Sequence, residues 1–279
     1  MCAVLGDGAG NRFRCALMTI HYHGTPVNPA DVFPTLAGNH FCVSHYDARQ
    51  DAVAHRQGQS VMLDNGAFSA WKAGEPITDW SPYYAWADHW LDYPTTWAVI
   101  PDVIGEGGQA QDALIAQWPH GDRGAPVWHM DEPVERLLRL LDAWQRVCIG
   151  STDEYRVVLS DVWQRRMDEV WREINGRHRR TPNTHMLRGM QLTFKHRWPF
   201  ASVDSTDIAR NHNRDGRPRA RADRWNAAQC PPRFIDRGEQ GDLYCEPTSL
   251  PAPTESAPSR ATNGKRQTLL SLESGKLPA

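Results

Sequence analysis

Eight short apolar runs punctuate the chain, separated by stretches whose apolar residues recur at helical spacing. The runs are Ile20 to His23, His40 to Ser44, Ser60 to Asp64, Thr96 to Asp102, Ala125 to Met130, Arg146 to Gly150, Thr184 to Gly189 and Phe200 to Asp204. Runs of this length, bounded by turn residues, predict buried strands. Between them the pattern predicts helices from Asn28 or Pro29 to Leu36, from Asp47 to Gln57, around Tyr84 to Trp90, through Leu114 and Trp118, from Pro133 to Trp144, from Asp161 to Ile174 and from Thr206 to His212. In the Pro133 helix, Val134, Leu137, Leu138 and Leu141 share a face, and proline suits a first turn. The stretch just after Asp64 reads as a loop rich in Trp, Gly and Pro. Eight such repeats predict an α/β chain built as a (β/α)8 TIM barrel over residues 18–213, with an open doubly wound sheet as the other arrangement. No G-x-G-x-x-G or G-x-x-x-x-G-K-[ST] follows a strand, which removes the usual signature of a nucleotide-cofactor fold.

Composition adds few constraints. A chain of 279 residues that is 40% hydrophobic and 23% charged can bury a substantial core. No apolar run approaches the roughly 18 residues that span a bilayer, so no membrane partner is expected. Residues 1–17 lack an apolar signal-peptide core and read as a disordered extension, and residues 247–279, rich in Pro, Ser and Thr, read as a disordered tail. The six cysteines show no C-x-x-C pair, which favours reduced thiols in a cytoplasmic setting over a disulfide framework or a zinc site. No metal or other cofactor is expected.

Charge distribution says more than the net charge of −2. Arg177 to Arg237 carries fourteen Lys and Arg against five Asp and Glu. Its densest part holds Arg210, Arg214, Arg217, Arg219, Arg221 and Arg224, running into a basic extension over 214–246. Such a segment is a candidate phosphate-contacting surface, with a solvated arm as the plain alternative.

In a parallel barrel the strand ends converge on one face whatever their separation in sequence. That face collects His23, Ser44, Asp64, Asp102, His129, Ser151, Arg188 and Asp204. Each acid has an ordinary explanation, since Asp64 can close an Asx-turn and Asp102 or Asp204 can cap the helix that follows. Three acids on strand ends of one barrel also form a set able to divide labour at a glycosidic carbon, one attacking and one moving a proton. His129 can be a base, a ligand or a satisfied core histidine. His21 and His23 have the H-x-H spacing of a metal-dependent barrel hydrolase, but Tyr22 between them gives that reading little support.

Leu63-Asp64-Asn65-Gly66-Ala67-Phe68 resembles the Asp-Ser-Gly-Gly-Phe motif of tRNA-guanine transglycosylases. Val99-Ile100-Pro101-Asp102 falls where that family has its base-recognising acid, and Val147-Cys148-Ile149-Gly150 resembles its glycine-bearing sixth strand. His185-Met186-Leu187-Arg188-Gly189 resembles its Tyr-Leu-Met-Gly strand, and Phe200 to Asp204 with Ala209-Arg210-Asn211 resembles the strand that carries its nucleophile. The family's C-x-C-x-x-C zinc cluster is absent, and Cys230 and Cys245 do not replace it. The chain therefore looks more like the DpdA family of 7-deazaguanine DNA transglycosylases. That resemblance implies exchange of a guanine in double-stranded DNA for a 7-deazaguanine base, in a bacterial cell or a phage-infected host, alongside other DNA-modification proteins. It implies Asp204 as nucleophile and Asp64 as general acid/base. Asp102, Asn65, Gly66, His129, Gly150, Ser151, Arg188 and Gly189 would line the substrate pocket. A tRNA-directed transglycosylase and a non-catalytic nucleic-acid-binding barrel are the rival expectations.

Overall fold

All eight apolar runs form strands of one parallel sheet in the computed structural model, which describes residues 2–5, 14–211, 214 and 217–236. Two strands precede them, β1 (Cys2–Leu5) and β2 (Arg14–Leu17). The sheet itself is built from β3 (Ile20–Gly24), β4 (His40–Ser44), β5 (Ser60–Asp64), β6 (Thr96–Val99), β7 (Gly124–Ala125), β8 (Val127–His129), β9 (Val147–Gly150), β10 (Thr184–Met186) and β11 (Ser202–Ser205). Its order is β7-β6-β5-β4-β3-β11-β10-β9-β8. The two end strands, β7 and β8, are halves of one run split at Pro126. Proline has no N–H to donate, but its carbonyl still accepts from Cys148 N at 2.9 Å. The sheet is therefore nearly closed, in the manner of a TIM-like barrel.

Strand periodicity decides which side chains enter the barrel. Tyr22, Cys42, Met62, Trp97, Val99, Val127 and Cys148 pack together inside it. Their neighbours Phe41, Val43, Val61, Leu63, Val147, Ile149 and Val203 face the helical layer instead. That layer comprises α1 (Asp51–Gln57), α2 (Ala67–Ala73), α3 (Ser81–Leu91), α4 (Gly108–Gln117), α5 (Val134–Ala143), α6 (Asp161–Arg177), α7 (Asp207–Asn211) and α8 (Pro218–Ala227). Helix α6 shows why these segments are helical. Ser160 caps it by accepting from Trp163 N, and Trp163, Met167, Val170, Trp171 and Ile174 recur at the spacing that buries one face.

Several expectations need correction. Residues 30–36, expected as a helix, form 3-10 turns with Pro34 inside, and no α-helix follows the seventh strand, where Met190–Phe194 is also 3-10. The supposed loop after Asp64 contains α2. In α5 the buried face runs through Leu140, with Leu138 only half-buried. The N-terminal stretch, expected to be disordered, contributes β1 and β2, which pair antiparallel with one another and with β12 (Arg233–Asp236). Nor does the helical layer stop at Asn213. Helix α8 packs on β3 through Asn226, which bonds His23 Nε2 at 3.2 Å and Asn39 Oδ1 at 2.6 Å. The expected tail over 247–279 lies outside the described residues. Among the described residues no helix is long and apolar enough to cross a membrane.

Candidate active site

Met62 points into the barrel, so Asp64, two residues on, points the same way at the strand's C-terminal end. The same rule brings in Ser44 above Cys42, His129 above Val127, Gly150 above Cys148, and Asp204 above Ser202. Asp102 follows β6 and is buried beside them. The three acids foreseen from sequence thus share one mouth.

Asp64 is pushed up to about 6 by burial, aided by the charges of Asp204 and Asp102 and opposed by the Ser44 hydroxyl and the Gly66 amide. A carboxyl poised there exchanges protons readily near neutral pH. Gly66 positions it. With φ at +80° it occupies the left-handed region, and a Cβ would lie 2.9 Å from Tyr46 N. Gly66→Ala is expected to lower stability by about 1–3 kcal/mol, read as a reduced denaturant midpoint with an unchanged slope. An unaltered midpoint would show that this turn relaxes freely.

Asp204 is held on one oxygen only. Its Oδ1 accepts from Arg188 N at 2.6 Å and meets His185 Nε2 at 3.3 Å, and no described residue bonds Oδ2. His185, fully buried, is pushed down by burial against the pull of Asp204. A neutral imidazole that donates through Nε2 must accept at Nδ1, where Ser202 Oγ lies at 2.8 Å. The ring is wedged edge-on against Tyr22 and Trp97. His185 thus fixes the orientation of Asp204. The pattern of strand-end acids does not point to His185, although its inward position in the seventh strand, one residue before outward Met186, is a usable signal.

Asp102 is held on both oxygens. Asn65 Nδ2 donates to Oδ1 at 2.8 Å and His129 Nε2 meets Oδ2 at 2.9 Å. Asn65 is otherwise spent on Ile100 O and Ala67 N, so it braces Asp102 rather than reading a ligand. Burial opposes a charged His129, but the bond and charge of Asp102 outweigh it and hold the imidazole above its ordinary value. Behind it, Glu132 accepts from His129 N at 3.1 Å and from Arg136 Nη1 at 2.8 Å. Gly150 gives the ring room, since a Cβ would lie 2.9 Å from His129 Cδ2.

Comparison with protein-family models, with curated proteins and with solved structures finds no match.

The remaining expected site residues divide. Arg188, with φ at +57°, reaches from Ser151 O at 2.8 Å to the Phe68 ring, 4.5 Å from its guanidinium carbon. Phe68 and Trp71 on α2 are exposed beside it, making an aromatic edge at the mouth. Ser151 does not present its hydroxyl there, because Oγ accepts from Trp163 Nε1 in the helical layer. Gly189 turns onto outward-facing Met186 and is likewise not in the mouth. His21 and His23 point outwards, and burial pushes both down to about 4. No group of three or more His, Cys, Asp or Glu among the described residues is arranged to hold a metal ion.

The basic stretch is only partly a surface. Arg221 is tied to Asp207 at 2.6 Å, and with Trp225 and Asn211 it overcomes the effect of burial and holds that carboxyl at about 2. Arg219 bonds Asp223 and Ala37 O, though it is itself exposed. Arg210, Arg214, Arg217 and Arg224 are exposed.

Proposed function

We propose that the chain is a base-exchange transglycosylase that replaces guanine in double-stranded DNA with a 7-deazaguanine such as 7-cyano-7-deazaguanine. The observation that carries this reading is the unequal pair Asp204 and Asp64. One acid is oriented through a single oxygen, with the other bonded by no described residue, and the second is poised near pH 6 within electrostatic reach of it. This is the division of labour that two successive displacements at a sugar carbon require.

In the first step Asp204 Oδ2 attacks C1′ as the C1′–N9 bond breaks, and the departing guanine takes a proton from Asp64. Asp64, now ionised, accepts the N9 proton of the incoming 7-deazaguanine, whose nitrogen displaces the Asp204 carboxylate. Two inversions return the original configuration, and the atoms and protons balance without metal or ATP. Asp102 keeps lone pairs beyond its bonds to Asn65 and His129, enough to accept from the N–H edge of a guanine. Target bases must leave the stack to reach a barrel mouth, and exposed Arg210, Arg214, Arg217, Arg219 and Arg224 would hold the phosphates while they do. The reaction belongs in the cytoplasm, with other DNA-modification proteins acting beside it.

Supplying radiolabelled 7-cyano-7-deazaguanine with DNA, and in parallel with tRNA, tests the proposal. Label entering DNA is expected. Label entering tRNA alone would assign the chain to RNA, and binding without incorporation of label would make it a binding module.

A further inference from the structure

At the opposite end of the barrel two arginines have no carboxylate partner among the described residues. Arg146 precedes β9 and shares the inward parity of Cys148 and Gly150, so its side chain enters the N-terminal end of the barrel. Its guanidinium carbon lies 4.2 Å from the centroid of the Trp97 ring. That ring is fixed in turn, since Trp97 Nε1 donates to Tyr22 OH at 2.8 Å and Ser60 Oγ donates to the same hydroxyl. Arg146 Nε is buried with no hydrogen-bond partner. Arg233 lies three residues past Cys230, whose amide donates to Thr19 Oγ1 at the foot of β3, and its Nε is likewise buried and unbonded. The two guanidiniums are within electrostatic reach of one another.

Among the described residues, the groups that bear on Arg146 besides the neighbouring cation are a phenol, Tyr22, a buried thiol, Cys148, and the imidazole of His185, whose charged form burial disfavours. Besides Arg146, the described group that bears on Arg233 is the thiol of Cys230. Burial pushes both arginines below their ordinary value, and Arg146 pushes Arg233 further. Two half-buried, mutually repelling cations with no carboxylate among the described residues are an unfavourable arrangement unless an anion joins them. We propose that Arg146 and Arg233 form a binding site for a phosphate-type oxyanion at the N-terminal end of the barrel. Planar guanidiniums match tetrahedral oxyanions with paired N–H donors, and Arg146 is already held in place by the Trp97 face. The strand between Arg146 and Gly150 separates this site from the carboxylate mouth by about 13 Å, so it is independent of the proposed base exchange.

Thermal unfolding of the full chain decides the matter, with potassium phosphate titrated at fixed pH and ionic strength held constant with KCl. A saturable rise in Tm is expected for the wild type. Arg233→Gln should need about tenfold more phosphate for the same rise, and so should Arg146→Gln. Asp204→Ala should respond like the wild type. A phosphate monoester in a parallel series distinguishes a phosphorylated metabolite, which raises Tm at lower concentration, from the free anion. If Arg146→Gln does not fold, Arg233→Gln and line broadening of the phosphorus resonance by the wild type carry the test. The proposal is overturned if phosphate raises Tm no more than KCl, if Arg233→Gln responds at wild-type concentrations, or if Asp204→Ala loses the response.

Discussion

Asp204→Ala is expected to abolish base exchange, lowering the rate by at least about four orders of magnitude. The size of the effect follows from what the carboxylate does. It forms the bond that replaces the glycosidic one, and no neighbouring group can take over. Asp64 lies on its own strand end and is given over to moving the proton, and Asp102 is engaged on both oxygens by Asn65 and His129. The substitution has a structural cost as well. Arg188 N and His185 Nε2 lose their shared acceptor, which should lower stability by about 1–3 kcal/mol. Activity should therefore be compared at a temperature where circular dichroism shows both proteins folded. A folded Asp204→Ala protein that still exchanges base would remove the nucleophile from this residue.

Asp64→Asn should separate function from stability. In the fold Asp64 keeps its proton up to about 6, against an ordinary value of 3.8. Between those values the folded state binds more protons than the unfolded chain, so stability falls as pH rises through that window. Replacing the acid with a neutral amide removes the penalty at higher pH. At pH 7.5 the variant should be more stable than the wild type by about 1–3 kcal/mol, and below pH 4 the two should converge. Exchange should meanwhile fall by about two to four orders of magnitude, because an amide cannot shuttle a proton. Denaturant titrations at the two pH values check the first part. An amide variant no more stable than the wild type at pH 7.5 would mean that the mouth does not disfavour the carboxylate.

Much of the fold is legible in the sequence because parallel strands are buried on both faces and read as short continuous apolar runs. Val61-Met62-Leu63 and Val147-Cys148-Ile149 are plain examples, and strand periodicity then carries Asp64, His129, Gly150 and Asp204 into one mouth. The rule fails just past the strand ends. Ser151 turns to Trp163 and Gly189 to Met186, because side-chain direction there depends on turn geometry rather than on a period of two. Helix α2 is not legible in the sequence because its aromatics Phe68 and Trp71 are exposed, which breaks up its apolar stripe. Helix α8 is hard to read because only Ala222 and Trp225 pack on the core, and the rest of its attachment is polar, Arg221 to Asp207 and Asn226 to His23 and Asn39. A run of arginines that looks like a free arm is thereby part of the helical layer. Strands β1 and β2 are not legible in the sequence because the second partner of β2 comes from the far end of the described chain, where Arg233 sits opposite Leu17. His185 was within reach, because a histidine at an inward position of a buried strand needs polar partners, and Asp204 and Ser202 supply them.

The central claim is a covalent intermediate on the eighth strand. The most direct measurement incubates the wild-type protein with guanine-containing DNA, quenches in denaturant, digests, and locates any sugar-linked peptide by mass spectrometry. A denaturant-stable adduct on the peptide carrying Asp204, absent from Asp204→Ala, is the predicted result. An adduct mapped to Asp64, or incorporation of labelled base with no adduct formed at Asp204, would contradict it.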